Sequence, residues 1–420
     1  MSEKKIKVLM ISDHPMAPSG VGTQTKYVIA ALLDSGKFKV SCLGGAVKHE
    51  SYEPHKTKEY GDDLIIYPVD GYGNAESIRS ILWAEKPDIL WFMTDPRFYG
   101  WLWEIEHEIR DVVPMVYYHV WDNYPYPKFN KDFYNSNDVI ASISKVTYDI
   151  VNNVAPDVEN HYIPHAVQPE IFKKLDDEVI ENFKAGNFGD EKDRFTFFWN
   201  NRNARRKQSG SMIYWFNEFS KKVGPDKVRL IMHTDPHDPN GPDLYHLLAA
   251  LEVDPHTITI SHQKVEPNAL AVLYNAADCT INISDAEGFG LATLESLSCE
   301  TPIIVNMTGG LQEQVTDGEE WFGIGIEPNS KSLIGSQQVP YIFEDRIGKE
   351  DFIAALEKMY NMPEDDRQLL GKNGRSHIEK NYNFKQFQER WVELMENIYK
   401  KYGSWSERKG YKNWSLKEVA

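Results

Sequence analysis

Two glutamates eight positions apart frame a glycine loop that could hold a phosphorylated ligand. Residues 284–295 read Ser-Asp-Ala-Glu-Gly-Phe-Gly-Leu-Ala-Thr-Leu-Glu and follow an apolar run from Cys279 to Ile283. Leucines at 291, 294 and 297 then have helical spacing, which predicts the order strand, glycine loop, helix. A helix N-terminus presents unpaired N–H groups, and glycines let an anion approach the backbone. This stretch therefore predicts phosphate binding.

The glutamates need an explanation of their own. Glu295 follows Leu291 by four residues and lies next to Leu294, so its carboxylate falls near the apolar stripe of the helix and should have a hydrogen-bonding partner. Two solvated surface acids are one interpretation. The favoured one is a nucleotide-sugar site, in which Glu287 contacts sugar hydroxyls and Glu295 contacts ribose hydroxyls.

A cationic loop follows another predicted strand, Phe195–Trp199. Residues 200–207 read Asn-Asn-Arg-Asn-Ala-Arg-Arg-Lys, with four cations within six positions. Arginine offers a planar fork to phosphate oxygens and lysine a mobile point charge, so this loop could neutralise a diphosphate. The alternative is a solvated basic turn.

The amino-terminal end repeats the strand, glycine loop and helix pattern. A strand at Ile6–Ile11 precedes Ser-Gly-Val-Gly at residues 19–22, and a helix is predicted from Thr23 to Leu33. Gly20 and Gly22 could face a phosphate, although a pair of glycines alone is weak evidence and a plain turn is the alternative.

Polar and aromatic residues crowd the predicted end of a strand at Met115–Val120. His119 and Asp122 lie there, and ligands of open parallel sheets bind at such ends. The neighbouring rings suit carbohydrate stacking, and an acceptor site that includes Trp121, Asp122 and Tyr124 is one interpretation, although core packing is the commoner cause of such density.

Neither metal nor cofactor is predicted. The loop Asp235–Asp243 offers oxygen ligands, but its prolines and irregular spacing do not fit a calcium loop. Asp285-Ala286-Glu287 could imitate an acidic metal motif, yet the cationic loop would make a metal redundant for charge neutralisation. The three cysteines lack metal-ligand spacing and suit a reducing cytoplasm.

Alternation of predicted strands and helices along both halves indicates an α/β chain with parallel sheets covered by helices. A length of 420 residues favours two domains. We predict an amino-terminal domain at 1–168, a polar linker at 169–193, a second domain at 194–380, and an amphipathic helix with a basic, aromatic tail at 381–420.

The formal net charge of −17 argues against nucleic acid as a partner. The sequence gives neither a signal peptide nor an apolar run long enough to span a bilayer, which predicts a cytoplasmic protein. Lys400–Ala420 holds six Lys or Arg against two Glu, so the tail could contact a membrane surface, but a poorly ordered or core-packed terminus is favoured. The oligomeric state is not fixed.

Taken together, these residues resemble the retaining glycosyltransferases of the GT-B fold, family four, the glycosyl transferases group 1. The resemblance implies two Rossmann-like domains facing across a cleft, with the helix from Phe384 crossing back to the first domain. It also implies a nucleotide-diphosphate sugar donor, UDP- or GDP-linked, a carbohydrate or glycoconjugate acceptor, and retention without a metal.

Site roles follow from the same resemblance. Glu287, Arg202, Lys207 and His119 correspond to the catalytic positions. The donor-binding positions are Gly20, Gly22, Arg206, Gly288, Phe289, Gly290, Leu291 and Glu295. The turn Thr308–Glu313 is a softer match, and Asn201 and His165-Ala166 depart from the usual residues. Three alternatives stay open: a nucleotide-sugar epimerase, a transferase acting on a modified nucleic-acid base, and a non-catalytic binding module.

Overall fold

The chain divides into two compact units, in a computed structural model that describes residues 4–412. Unit 1 runs to His165 and resumes at Lys385, and unit 2 comprises Ala166–Phe384. Each unit contains a mainly parallel β-sheet with helices, as the sequence predicted.

Unit 1 is built on an eight-stranded sheet in the order β3-β4-β2-β1-β5-β6-β7-β8, in which only the short β3 is antiparallel to its neighbour. The strands are β1 (Ile6–Asp13), β2 (Phe38–Gly45), β3 (His55–Lys56), β4 (Leu64–Pro68), β5 (Ile89–Met93), β6 (Met115–His119), β7 (Val139–Ser142) and β8 (Glu159–Tyr162). Its first six helices are α1 (Gly20–Asp34), α2 (Ala75–Glu85), α3 (Gly100–Glu104), α4 (Glu106–Arg110), α5 (Lys131–Asn135) and α6 (Lys145–Val154).

Unit 2 is built on a six-stranded, all-parallel sheet in the order β11-β10-β9-β12-β13-β14. Its strands are β9 (Phe195–Asn200), β10 (Val228–His233), β11 (Ile258–Ser261), β12 (Cys279–Asn282), β13 (Ile303–Asn306) and β14 (Gly323–Ile326), and an antiparallel hairpin, β15 (Ser330–Ile334) and β16 (Ile342–Arg346), follows. Its helices are α7 (Asp177–Phe188), α8 (Ser209–Val223), α9 (Leu244–Ala250), α10 (Pro267–Ala276), α11 (Leu291–Ser298), α12 (Gln312–Val315), α13 (Lys349–Tyr360) and α14 (Glu364–Asn381).

The final helix, α15 (Phe384–Tyr402), completes the core of unit 1. Parallel strands are covered on both faces, and β5 is accordingly apolar and buried at all five positions. Trp391 of α15 is fully buried, with its ring 4.9 Å from that of Tyr118 and 6.0 Å from that of Trp91. The core of unit 1 therefore depends on two distant parts of the sequence.

The segment after α15 packs on unit 1. The amide of Trp405 donates to Asp88 at 3.0 Å, and the guanidinium of Arg408 lies 3.3 Å from the carboxylate of Asp138. The hydroxyl of Tyr411 lies 2.6 Å from Nδ1 of His107. Of the two terminus types favoured from the sequence, residues 403–412 form the core-packed one, and residues 413–420 lie outside the described part.

Residues 169–193, predicted as a linker, belong to unit 2. Helix α7 lies within them, as the predicted surface helix does, and Ile180 is buried. The amide of Leu175 donates to the side chain of Asn275 on α10 at 2.9 Å. The sequence predicted domain limits at residues 168 and 380, and the structure has its unit boundaries after residues 165 and 384, within four residues of them.

Among the helices within residues 4–412, none combines the length and the apolar character needed to cross a bilayer.

Candidate active site

The two charged loops predicted from the sequence meet at the carboxyl edge of the unit 2 sheet. Strands β9 and β12 are neighbours and parallel, so the loops that follow them emerge side by side. The cationic loop follows β9, and the loop with the two glutamates follows β12 and leads into α11. In open parallel sheets, this edge is where ligands bind.

Three direct contacts join the loops, although they are about 80 residues apart in sequence. The ammonium of Lys207 forms an ion pair with the carboxylate of Glu287. The guanidinium of Arg206 donates to the carbonyl of Ala286 at 2.5 Å, and the amide of Asp285 donates to the carbonyl of Arg206 at 2.8 Å. The loops therefore form one structural element.

Glu287 is a buried, ionised carboxylate. Its residue is 9% exposed, and Oε2 accepts from Asn282 at 3.2 Å and from Ser284 at 3.4 Å. Burial alone would raise the pKa of Glu287, but the charges of Lys207 and Arg206 outweigh it, so that its pKa is lowered. A negative charge is thus held at the loop, next to a lysine.

The other cations of the loop have acidic partners as well. Arg202 forms two bonds with Asp238, at 2.5 and 3.2 Å, and Arg205 forms a bidentate pair with Glu344. Three of the four loop cations, Lys207 included, therefore face a carboxylate. The sequence argument for metal independence assumed that these cations were free to neutralise a diphosphate. Because three of them are already paired with carboxylates, that argument no longer holds. Metal independence stays a prediction, and no cluster of three or more metal-ligating side chains occurs within residues 4–412.

The β15–β16 hairpin supplies part of this edge, although no sequence pattern predicted it. Glu344, buried at 2% exposure, also accepts from Arg346 at 2.6 Å, and Arg346 lies 3.3 Å from Asp285. The carboxylate of Asp345 accepts from Thr308 at 2.7 Å. Burial raises the pKa of Asp285 to about 6 despite a hydrogen bond from Gln208. Charges of both signs thus alternate across this part of the site.

Glycines set the shape of the loop before α11. Gly290 has φ +94°, a left-handed conformation that side chains rarely adopt. A Cβ on Gly309 would lie 1.8 Å from the backbone oxygen of Glu287, and one on Gly310 would lie 2.6 Å from the Cα of Phe289. The turn Thr308–Glu313 therefore packs closely against the backbone of the glutamate loop.

Buried side chains hold the same loop. Gln314, fully buried, donates to the carbonyls of Phe289 at 2.7 Å and Gly290 at 3.1 Å. The ring of Phe289, predicted to contact the donor, is itself buried, 5.6 Å from the ring of Tyr382. Gly288 and Leu291 are partly exposed. Gly288 and Leu291 can thus approach a ligand, whereas the Phe289 side chain packs in the core.

Glu295 has the hydrogen-bonding partner that its position demanded. The hydroxyl of Tyr274 donates to Oε2 at 2.7 Å, and Asn200 donates to that hydroxyl at 2.9 Å. Burial raises the pKa of Glu295 to about 7, and the Tyr274 bond opposes this rise. Sequence reasoning missed Tyr274, Asn200, Asp238 and Glu344, whose roles depend on the fold.

In unit 1, helix α1 begins at Gly20, three residues earlier than predicted. The hydroxyl of Ser19 accepts from the amide of Gly22 at 3.0 Å and donates to Asp13 at 2.5 Å. A Cβ on Gly22 would lie 2.8 Å from the carbonyl oxygen of Ala17, so glycine is needed there. Gly20 is exposed at the helix start.

The predicted acceptor residues occupy mixed environments. His119 is fully buried, with Nε2 2.8 Å from the hydroxyl of Tyr134, and burial lowers its pKa to about 3. Trp121 is buried and donates to a backbone carbonyl, whereas Tyr124 is half-buried and donates to Asp149 at 2.8 Å. Asp122 is partly exposed. Core packing thus accounts for much of the aromatic density, and the acceptor roles stay predictions.

Comparison with known families agrees with this arrangement. Residues 241–377 match the family described as glycosyl transferases group 1. The match includes the glutamate loop and α11, and it leaves out the cationic loop.

Curated relatives align over limited segments. The chain is 47% identical over 53 residues to D-inositol 3-phosphate glycosyltransferase of Acidothermus cellulolyticus, covering 13% of this chain and 12% of that protein. It is 26% identical over 189 residues to alpha-monoglucosyldiacylglycerol synthase of Streptococcus pneumoniae, covering 44% of this chain and 41% of that protein. The chain thus spans less than half the length of either relative.

The fold extends over nearly the whole chain. Sucrose-phosphate synthase from Thermosynechococcus elongatus superposes with a TM-score of 0.74 at 16% identity, covering 94% of this chain and 100% of that one. A segment of the chain thus matches the group 1 glycosyltransferases, and nearly the whole chain has the GT-B fold.

Proposed function

We propose that this protein transfers a sugar from a nucleotide-diphosphate sugar, UDP- or GDP-linked, to a hydroxyl of a carbohydrate or glycoconjugate acceptor, with retention and without a metal. The observation that carries the proposal is the contact of Lys207 with Glu287. It joins a cation suited to a leaving diphosphate with a carboxylate suited to sugar hydroxyls.

The ion pairs balance the charges of the site's own side chains. The side chain of Lys207 is only 8% exposed, and the carboxylate of Glu287 balances its buried charge. An arriving diphosphate offers Lys207 a new anion, and the sugar offers Glu287 hydroxyl donors. Arg202 exchanges Asp238 for phosphate in the same way. One ligand with both groups therefore satisfies both partners at once, which neither phosphate nor sugar alone can do.

Glu295 is suited to the ribose. Tyr274 donates to its Oε2, and Oε1 has no hydrogen-bond partner among residues 4–412. The residue is partly exposed at the first turns of α11. A ribose hydroxyl can thus donate to Oε1 while Tyr274 fixes the carboxylate in place.

The chemistry breaks the bond between the anomeric carbon and the diphosphate oxygen and forms one to the acceptor oxygen. The proton of the acceptor hydroxyl is transferred to the leaving diphosphate or to water. Negative charge grows on the leaving oxygen, and preorganised donors at that place typically contribute about 10²–10³-fold each. Arg202, Lys207 and the amides after Glu287 are the donors we assign, and retention rests on the family resemblance.

The acceptor is kept at the level of its class. The similar proteins are named for inositol phosphate, a glucosyldiacylglycerol and sucrose phosphate. Two of these compounds carry a phosphate and one carries lipid chains, so the names agree only on hydroxyl groups. The roles of Gly20, Gly22 and His119 toward the donor remain part of the proposal. The same holds for the roles of Trp121, Asp122 and Tyr124 toward the acceptor.

The test combines Arg202→Ala with Lys207→Ala. With donor and acceptor found by screening, turnover should fall by at least about 10²-fold. Lys222→Ala, which removes an exposed lysine paired with Glu357, is the matched control and should leave turnover unchanged. Double-variant turnover within about threefold of the parent would refute the diphosphate assignment. The anomeric configuration of the product, determined by NMR, shows whether transfer occurs with retention. Formation of an isomerised sugar when the protein is incubated with donor alone would indicate an epimerase.

A further inference from the structure

Three histidines of unit 1 lie together at the carboxyl edge of its sheet. His14 follows β1, His49 follows β2, and His55 lies in β3. The ring of His14 is 5.9 Å from that of His49 and 5.8 Å from that of His55, centroid to centroid. His14 and His49 are partly exposed and His55 is exposed, so a ligand can reach all three.

The backbone makes room for this cluster and orients its rings. A Cβ on Gly44 would lie 2.7 Å from the imidazole of His14, so glycine is required for the ring to lie there. The amide of Met16 donates to Nδ1 of His14 at 3.1 Å, which leaves the proton of a neutral ring on Nε2. Nε2 of His49 lies 3.1 Å from the carbonyl of Val69 and donates to it.

The cluster differs from other histidines of the chain in its charge environment. Five others lie 2.8–3.3 Å from a carboxylate, namely His107, His161, His237, His246 and His256. No such pair is formed by His14, His49 or His55 with any described carboxylate. The nearby carboxylate of Asp70 accepts from Tyr52 at 2.6 Å.

An anion suits these three rings. Burial, and then the proximity of His55 and His49, lowers the pKa of His14, because each added positive charge repels the others. A bound dianion reverses this repulsion and accepts hydrogen bonds from several ring nitrogens. In a chain of net charge −17, a histidine cluster without acidic partners is a local environment that favours a negative ligand.

We infer that His14, His49 and His55 bind a phosphate monoester carried by the acceptor, which makes the acceptor of this enzyme anionic. A phosphate monoester presents three terminal oxygens, one for each of these neighbouring imidazoles, whereas a carboxylate presents two. The inference rests on the proposed function in assigning the phosphate to an acceptor. The anion site itself does not depend on turnover.

The direct experiment follows the imidazole resonances of the full-length protein labelled with ¹³C at histidine Cε1. Inorganic phosphate is the first probe at pH 7, and glucose 6-phosphate and glucose are the second and third. We expect saturable shifts of the His14, His49 and His55 resonances with both phosphates and none with glucose. His14→Gln combined with His49→Gln should weaken phosphate binding about tenfold, as expected for lost charge-assisted bonds.

His246→Gln is the matched control, because it removes an exposed histidine that pairs with Asp243 and should leave phosphate binding unchanged. Equal shifts at His237 and His246 would show nonspecific binding and overturn the inference, as would the absence of saturable shifts. Stronger shifts with UDP or GDP than with glucose 6-phosphate would assign the cluster to the donor instead and also overturn it.

Transfer activity separates the two proposals. Saturable shifts in a protein that transfers no sugar with any donor would leave the anion site standing and count against the proposed function. Sugar transfer to unphosphorylated acceptors alone, in a protein whose cluster ignores phosphate, would support the function and refute the inference.

Discussion

The hydroxyl of Tyr274 donates to the carboxylate of Glu295 at 2.7 Å, and this bond connects α10 with the helix that begins at the glycine loop. Tyr274 is fully buried and also accepts from Asn200. A buried side chain thus holds the carboxylate in one orientation.

Replacement of Glu295 by Gln should change how stability depends on pH. The folded-state pKa of Glu295 is raised to about 7 from 4.5, mainly by burial. Its neutral form therefore contributes stability that is complete below pH about 4.5 and is lost as pH rises to about 7. Because Gln cannot ionise, Glu295→Gln should gain stability relative to the parent between pH 5 and pH 8, measured as the difference in Tm at each pH. An equal Tm difference between the variant and the parent at pH 5 and at pH 8 would contradict this prediction.

The Lys207–Glu287 pair should show strong coupling. Loss of one partner from a buried pair costs about 3–5 kcal/mol, because the other charge remains uncompensated. Lys207→Met and Glu287→Gln should therefore each lower Tm clearly, while the double variant should lose less than their sum. Lys222→Met serves as control for loss of an exposed pair and should change Tm little. Strict additivity in the Lys207–Glu287 cycle would refute the coupling.

Gly309→Ala should damage the site without removing any of its functional side chains. The added Cβ would lie 1.8 Å from the backbone oxygen of Glu287, and Gly309 has φ +49°, so the glutamate loop must shift. We expect a large loss of turnover with a lower Tm.

Gly186→Ala provides the contrast for this substitution. Gly186 lies within α7, and its added Cβ would meet no atom within 4 Å. Alanine there should stabilise by about 0.5–1 kcal/mol through helix propensity, with turnover unchanged. Equal effects of the two substitutions would contradict the packing argument.

Glu344→Ala should loosen the β15–β16 hairpin. Glu344 is buried between Arg205 and Arg346, and both lose their carboxylate partner in the variant. Limited proteolysis should then cleave within residues 327–346 faster than in the parent. Lys331→Ala, which removes an exposed lysine 3.8 Å from Asp345, should leave the cleavage rate unchanged. Equal protection of Glu344→Ala and parent would argue against anchoring by Glu344.

The sheets were predictable because their strands are continuous apolar runs. Strands β5 and β10 begin and end at the predicted residues, Ile89–Met93 and Val228–His233. The hairpin was missed since β15, Ser-Lys-Ser-Leu-Ile, is largely exposed and lacks an apolar face. Contacts with remote acidic and basic residues hold it, and no local pattern contains that information.

Some contacts of the candidate site were predictable from the sequence, and others depend on the fold. The cationic loop and the glutamate loop were predicted to act together, and the structure brings them into contact through Lys207 and Glu287. Asp238, Glu344 and Tyr274 are ordinary residues in the sequence, and only the fold places them beside Arg202, Arg205 and Glu295. Phe289 shows the converse, because its place within the motif suggested a ligand contact while its ring serves the core.

The return of α15 to unit 1 has a consequence for synthesis on the ribosome. Unit 2 consists of one continuous stretch and can fold as soon as Phe384 has emerged, whereas unit 1 lacks Trp391 until α15 has been made. The rings of Trp91 and Tyr118 then have no cover from that helix, so the nascent amino-terminal half exposes apolar surface while some two hundred further residues are translated. The half that is made first is the half that finishes folding last.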